Sequence, residues 1–174
     1  MTLQANGRVV GEMTLFLVRH APAEPLLEGQ EDAARPLTPQ GERRFRKAVR
    51  GLKRLGLRCG RVYHSPLLRA VQTAELLLDW ADGPSEVTPL LAAPPGEELL
   101  ELLATGENGV GVALVGHEPW LSQLAAWLLL GERAGEEAFV LKKGGVVWLE
   151  GVPRPGGMRL RAWLPPRVLR KVGG

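Results

Sequence analysis

Leu15-Phe16-Leu17-Val18-Arg19-His20 sets the architecture expected of this chain. Four apolar residues in a row, too few for a helix, read as a strand buried on both faces. An Arg and a His at the end of such a strand are held at the rim of a sheet. The arrangement returns later, where Val112-Ala113-Leu114-Val115 is followed by Gly116-His117. Between the two, Arg61-Val62-Tyr63-His64 is strand-like and runs into Ser65-Pro66-Leu67-Leu68-Arg69. Singly, these are ordinary features: a His closing a strand, an Arg in solvent. Recurring at three strand ends, they make His20, His117, Arg19 and Arg69 a candidate site.

After His20 comes a polar, Pro-containing loop from Ala21 to Pro36. Thr38 then reads as a helix N-cap with Pro39 at the first helical position. Phe45, Val49, Leu52 and Leu55 recur at helical spacing, and Gly56 is a natural stop. Ser65-Pro66 reads as the cap and first turn of a second helix, ended by Gly83-Pro84. Glu86-Val87-Thr88 is a short strand. Glu97 to Leu103 is a short amphipathic helix, and Val110 to Val115 is the central strand. Pro119 opens a helix that turns Leu121, Leu124, Ala125 and Leu128 inward. Ala138 to Leu141, Val146 to Glu150 and Met158 to Trp163 are strand-like, separated by Gly-rich or Pro-rich turns. Strand–helix alternation followed by a hairpin predicts an α/β fold. Specifically, it predicts a three-layer α/β/α sandwich with a mainly parallel central sheet and an antiparallel C-terminal addition. Ligands of such sheets bind beyond the carboxyl ends of the strands, where both motif histidines lie.

The 174 residues fit one domain with a substantial core. The chain is expected to divide into an extension over residues 1–12, disordered or dispensable, and a single domain over 13–174. Met13 opens Met-Thr-Leu as Met1 does, just before the core strand. A formal charge of +3 is too small and dispersed to argue for nucleic acid. Arg43, Arg44, Arg46, Lys47, Arg50, Lys53 and Arg54 form a basic helix face, which reads first as a solvated face. It is also suited to attracting an acidic phosphoprotein. The single cysteine, Cys59, excludes an internal disulfide and a cysteine-based zinc site, and the three histidines lie far apart. Nothing calls for a metal or cofactor. No run is long enough to span a membrane, and the start carries no secretion signal, so the cytoplasm is the expected compartment.

Two imidazoles and two guanidiniums suit phosphoryl transfer. Neutral imidazole is a competent nucleophile near neutral pH, which assigns His20 to that role, with a phosphohistidine intermediate that water then hydrolyses. Arg19 and Arg69 would clamp phosphate oxygens with bidentate, charge-assisted hydrogen bonds. His117, expected as an imidazolium, would donate to oxygens that gain charge during transfer.

The motifs Arg19-His20-Ala21, Arg35-Pro36-Leu37-Thr38-Pro39-Gln40-Gly41, Ser65-Pro66-Leu67-Leu68-Arg69-Ala70-Val71-Gln72-Thr73-Ala74 and Gly116-His117-Glu118-Pro119 appear in this order. In them the chain resembles the histidine phosphatase superfamily, which is phosphoglycerate mutase-like in fold, and its small SixA-like phosphohistidine phosphatase branch. The resemblance runs from residue 19 to 119. Its first motif commonly has Gly where Ala21 stands, a minor departure because Ala leaves the pocket open. It implies that Arg35 lines the entrance, either reaching the phosphate or fixing the loop. It leaves Ser65 capping a helix, touching the phosphate, or both. His64 stands where relatives usually have other residues and reads as a strand-end residue rather than a catalyst. Larger relatives use a carboxyl group as general acid. Glu97 or Glu98 falls in the corresponding loop, though both also make a natural first helical turn.

The connections are short, with no insert large enough to roof the pocket. An open pocket, together with the resemblance, favours phosphohistidine or another phosphate borne on a protein, with inorganic phosphate released. The alternatives are a broad phosphomonoesterase acting on small phosphate esters and a phosphate-binding regulatory module that has lost turnover.

Overall fold

The computed structural model describes residues 2–3, 9–105, 111–133 and 136–174. Its centre is a six-stranded sheet. The sheet is built from β3 (Met13–Arg19), β4 (Arg61–His64), β5 (Ser85–Val87), β6 (Val112–Gly116), β7 (Val146–Gly151) and β8 (Met158–Leu164), in the order β5-β4-β6-β3-β7-β8. The first four strands in that order are mutually parallel, and β7 and β8 are antiparallel additions. Within the expected N-terminal extension, β1 (Thr2–Leu3) and β2 (Val9–Val10) pair with each other antiparallel. Residues 1 and 4–8 lie outside the described part.

Period-two alternation along β3 divides the core. Leu15 and Leu17 pack on one face with Leu114, Leu99 and Leu103 of α3 (Glu97–Ala104), and Leu121, Leu124 and Leu128 of α4 (Trp120–Leu130). Phe16 and Val18 pack on the other with Phe45, Val49 and Leu52 of α1 (Pro39–Arg54) and Ala70, Ala74 and Leu77 of α2 (Leu68–Leu77). All four β3 residues are fully buried, each worth about 1.5–3 kcal/mol of burial. This is the expected three-layer sandwich. No helix of the described residues is long and apolar enough to cross a membrane.

The N-cap of α1 is as read: Thr38 Oγ1 accepts from the Gly41 amide at 2.8 Å. The helix stops at Leu55, which is 43% exposed and outside the core, and Gly56 follows at φ 71°. Two local expectations are corrected. Ser65 is not the N-cap of α2; that position is Leu67, whose amide donates to Ser65 Oγ at 3.3 Å. Ala138 to Leu141 is not a strand: Glu136–Phe139 is a 3₁₀ turn. Its neighbourhood is held by side chains instead. Ser122 Oγ donates to the Phe139 carbonyl at 2.5 Å, and the Leu141 amide donates to Glu118 Oε1 at 2.8 Å. A closing helix, α5 (Pro166–Gly173), follows β8 and lies against α1. The helices approach so closely that a Cβ on Gly51 would overlap the Leu169 carbonyl, and one on Gly173 the Lys47 carbonyl.

Candidate active site

Sheet register assembles the site. Arg19 of β3 stands opposite Gly116 of β6, so the next residues, His20 and His117, emerge side by side. The His20 amide continues the ladder to the Gly116 carbonyl at 3.1 Å. On the other side of β6, His64 stands opposite Val115, and the Ser65 amide donates to the Val115 carbonyl at 3.0 Å. Three adjacent carboxyl ends thus deliver His20, Ser65 and His117 to one place. The two imidazole rings lie 5.2 Å apart between centroids, and both residues are 5% exposed.

His20 Nδ1 lies 2.7 Å from the Ala21 carbonyl. A carbonyl can only accept, so Nδ1 carries the proton and the Nε2 lone pair is free. Burial pushes the His20 pKa down to about 3, helped by the charges of His117, Arg69 and Arg19 and opposed by the Ala21 carbonyl. The ring is neutral at pH 7. Ala21 is itself fully buried, and its amide donates to Thr73 Oγ1 at 3.0 Å. Thr73 Oγ1 in turn donates to the Arg69 carbonyl at 2.6 Å, which fastens the backbone after His20 to α2.

His117 corrects one expectation. Burial lowers its pKa to about 4, with Arg69 acting in the same direction and Asp32 against it. It is therefore a neutral imidazole in the free site at pH 7, not an imidazolium. Its Nε2 lies 2.8 Å from Ser65 Oγ. With that nitrogen accepting from the hydroxyl, Nδ1 bears the proton. Buried Nδ1 has no protein partner. In that tautomer a neutral ring still presents a donor, with the fully buried Ser65 hydroxyl paired to Nε2.

The guanidiniums are pinned by backbone and by one carboxylate. Arg19 Nη1 donates to the Leu141 carbonyl at 2.7 Å. Arg69, 6% exposed, donates from Nη1 to the Asp32 carbonyl at 2.7 Å and from Nη2 to Asp32 Oδ2 at 2.9 Å. The Nε of each arginine is buried without a protein partner. Two Nε–H groups and His117 Nδ1–H are the kind of donor set that receives the oxygens of a tetrahedral anion. Burial depresses the Arg19 pKa, against the pull of Glu118.

Asp32 is the residue that sequence reading missed. It opens a 3₁₀ turn, Asp32–Ala34, and bridges two arginines. Arg35 Nε donates to its Oδ1 at 2.7 Å, while Arg69 holds its other oxygen. Burial acts to raise the Asp32 carboxyl, but the two arginines outweigh it and hold it below the ordinary range. The only sequence signal was the spacing of Asp32 and Arg35, three residues apart. Arg35 also donates to the Glu24 carbonyl at 2.9 Å, so its visible bonds fix the loop. Among the described residues, neither Glu97 nor Glu98 makes a hydrogen bond or ion pair with the four central side chains. Both are exposed on the first turn of α3. His64 is buried, with Nδ1 3.0 Å from the Ser65 carbonyl, as befits a strand-end residue.

The turn before β7 closes the site from the far end of the chain. The Gly144 amide donates to the carbonyls of both Arg19 and His20, each at 3.1 Å, with Gly144 at φ 75°. Lys143 therefore stands beside the nucleophile's backbone. Its pKa is lowered by burial and by Arg19, Arg35 and Arg69.

Comparison with known proteins places these features in a group. The model of the histidine phosphatase superfamily (branch 1) matches residues 15–92. An uncharacterized protein of Picosynechococcus sp. is 35% identical over 154 residues, covering 86% of this chain and 90% of that protein. Phosphohistidine phosphatase SixA of Escherichia coli (strain K12) is 36% identical over 127 residues, covering 69% and 76%. Among solved structures, protein histidine phosphatase SixA complexed with tungstate superimposes with a TM-score of 0.73 at 29% identity. That match covers 90% of this chain and 99% of the other.

Proposed function

This chain belongs to the histidine phosphatase superfamily, in its SixA-like branch, and is a phosphatase; we propose that its substrate is phosphohistidine carried on a protein. One observation carries the chemistry: a buried, neutral His20 with Nδ1–H tied to a carbonyl and Nε2 unencumbered. In the first step the Nε2 lone pair attacks phosphorus as the substrate's P–N bond breaks. Once solvent has protonated the substrate's second ring nitrogen, its imidazole departs neutral. In the second step water attacks phosphorus and the Nε2–P bond breaks, releasing inorganic phosphate. Because Nδ1–H is retained throughout, His20 also departs as a neutral imidazole. Arg19, Arg69 and His117 hold the equatorial oxygens and stabilise their charge.

A phosphoramidate needs no acid from the enzyme. That agrees with the absence of any bond from Glu97 or Glu98 to the central cluster among the described residues. The short connections and the similarity to SixA support a protein-borne substrate over a small ester.

The test is side-by-side turnover of a phosphohistidine protein and small phosphate esters. Faster protein dephosphorylation is expected, and faster ester turnover at equal concentration would overturn the substrate reading. His20→Ala should lower turnover by about four orders of magnitude or more and abolish the acid-labile phosphoenzyme, with the fold intact by circular dichroism. Near-wild-type activity in that variant would remove His20 from its role.

A further inference from the structure

The basic face of α1 is not uniform. Arg46 pairs with Asp79 at 3.8 Å, and Arg50 and Arg54 donate to carbonyls at the C-terminal end of α5. Arg43, Arg44 and Lys47 make no ion pair or hydrogen bond among the described residues, and all three are exposed. They line a cleft of about 590 Å³ whose far wall is Arg170 and Lys171 of α5, with Gln40 at one end. Five cations face one cavity and no carboxylate lines it. Such a cluster repels itself and raises the local concentration of anions.

The cleft continues toward the phosphate site. A second cavity of about 230 Å³ shares Arg44 and Arg170 with the first and has Phe45, Ala48 and Pro166 among its apolar walls. It reaches the Lys142-Lys143-Gly144 turn, again without a carboxylate. That turn is the one bonded to the Arg19 and His20 carbonyls. A cationic track therefore leads from the α1–α5 seam to the turn that is hydrogen-bonded to the nucleophile's backbone.

We infer that this track is a docking surface for an acidic polypeptide segment of the phosphorylated protein substrate. The inference rests on the protein-substrate reading above. Charge complementarity and continuity with the phosphate site select the occupant. Single-stranded nucleic acid would want exposed aromatic rings for stacking, and the aromatic residue lining either cavity, Phe45, is 2% exposed. A membrane-surface helix would turn its apolar face to lipid, whereas α5 commits Leu169 to the core.

The test uses two synthetic peptides, each carrying one phosphohistidine joined by a flexible Gly/Ser linker to a run of glutamates or of glutamines. At low ionic strength the wild-type protein should turn over the glutamate peptide with a kcat/KM about tenfold higher, an advantage that salt removes. The triple variant Arg43→Gln, Lys47→Gln, Arg170→Gln should lose the advantage while hydrolysing free phosphohistidine as wild type does. If the triple variant does not fold, Arg43→Glu at an exposed position carries the same comparison. Equal turnover of the two peptides by wild type, or an undiminished advantage in the variant, would overturn the inference. Fluorescence anisotropy of the unphosphorylated glutamate peptide separates this surface from the substrate reading. Binding that the variant loses, without any phosphohistidine turnover, sinks the substrate reading and leaves the surface standing. Tighter binding of an oligothymidine or of phosphatidylserine vesicles than of the glutamate peptide assigns the track to another class of partner and overturns the inference.

Discussion

Arg19 at the end of β3 and Arg69 in the first turn of α2 carry the same charge as Arg43, Arg44 and Lys47 on α1, yet the fold treats the two sets in opposite ways. Arg69 is buried and Arg19 half-buried, and backbone carbonyls and the Asp32 carboxylate hold Arg19 Nη1 and both outer nitrogens of Arg69. The inner Nε atoms of both are buried without a protein partner. The second set is exposed, unpaired and lined up with more cations from α5. Fixed cations at defined positions can distinguish a transition state from a ground state, because their geometry costs nothing to organise at the moment of transfer. Loose cations cannot do that, but they attract an oppositely charged surface without demanding one geometry.

The comparison breaks most visibly at Arg69. Arg69→Ala should lower kcat/KM by about two to three orders of magnitude, measured on any competent phosphate donor. A loss no larger than that of an α1 surface variant would erase the distinction. Asp32→Ala sharpens it further, because it leaves Arg69 charged and present but less firmly held. We expect about a tenfold loss in kcat/KM, mainly through KM, with Asp32→Asn milder. The milder effect follows because an Asn side-chain oxygen can still accept from Arg69 Nη2, whereas the backbone carbonyl accepts from Nη1 in either variant. An unchanged KM in Asp32→Ala would show that Arg69 needs no carboxylate to hold it.

The smallest effect is on stability. His20 and His117 have folded pKa values of about 3 and about 4 against 6.5 for an ordinary imidazole side chain. Between those limits the unfolded chain binds more protons than the folded one, so stability rises with pH across the window. It is fully present above about pH 6.5 and is lost as pH falls toward 4. The Tm in phosphate-free buffer should therefore drop from pH 7 to pH 4, and less steeply in His117→Asn. A flat profile in the wild type would mean that the two rings take up protons inside the fold.

Much of this was legible locally. β3 and β6 announce themselves as short apolar runs, with Arg19 closing β3 and His20 and His117 directly after the two strands, while Arg69 sits a few residues past β4 in the Ser65-Pro66-Leu67-Leu68-Arg69 stretch. The Thr38-Pro39 start of α1 is equally local. What escaped depends on contacts between distant segments. Ala138 to Leu141 looks like a strand, but its neighbourhood bonds to Ser122, Glu118 and Arg19 rather than to a ladder. α5 went unread because its place is set by Gly51 and Gly173, which matter only once two helices touch. Asp32 looked like any acid in a polar loop. The protonation of His117 escaped for the same reason: burial beside Arg69 is not written in the residues next to it.

The bonds from Gly144 to the Arg19 and His20 carbonyls, and from Arg19 to Leu141, tie the nucleophile to residues more than a hundred positions downstream. During synthesis on the ribosome, the front half of the site emerges early and waits. The polypeptide acquires its reactive centre only after the 141–145 turn has left the exit tunnel, so a prematurely terminated product lacking that turn is born inactive.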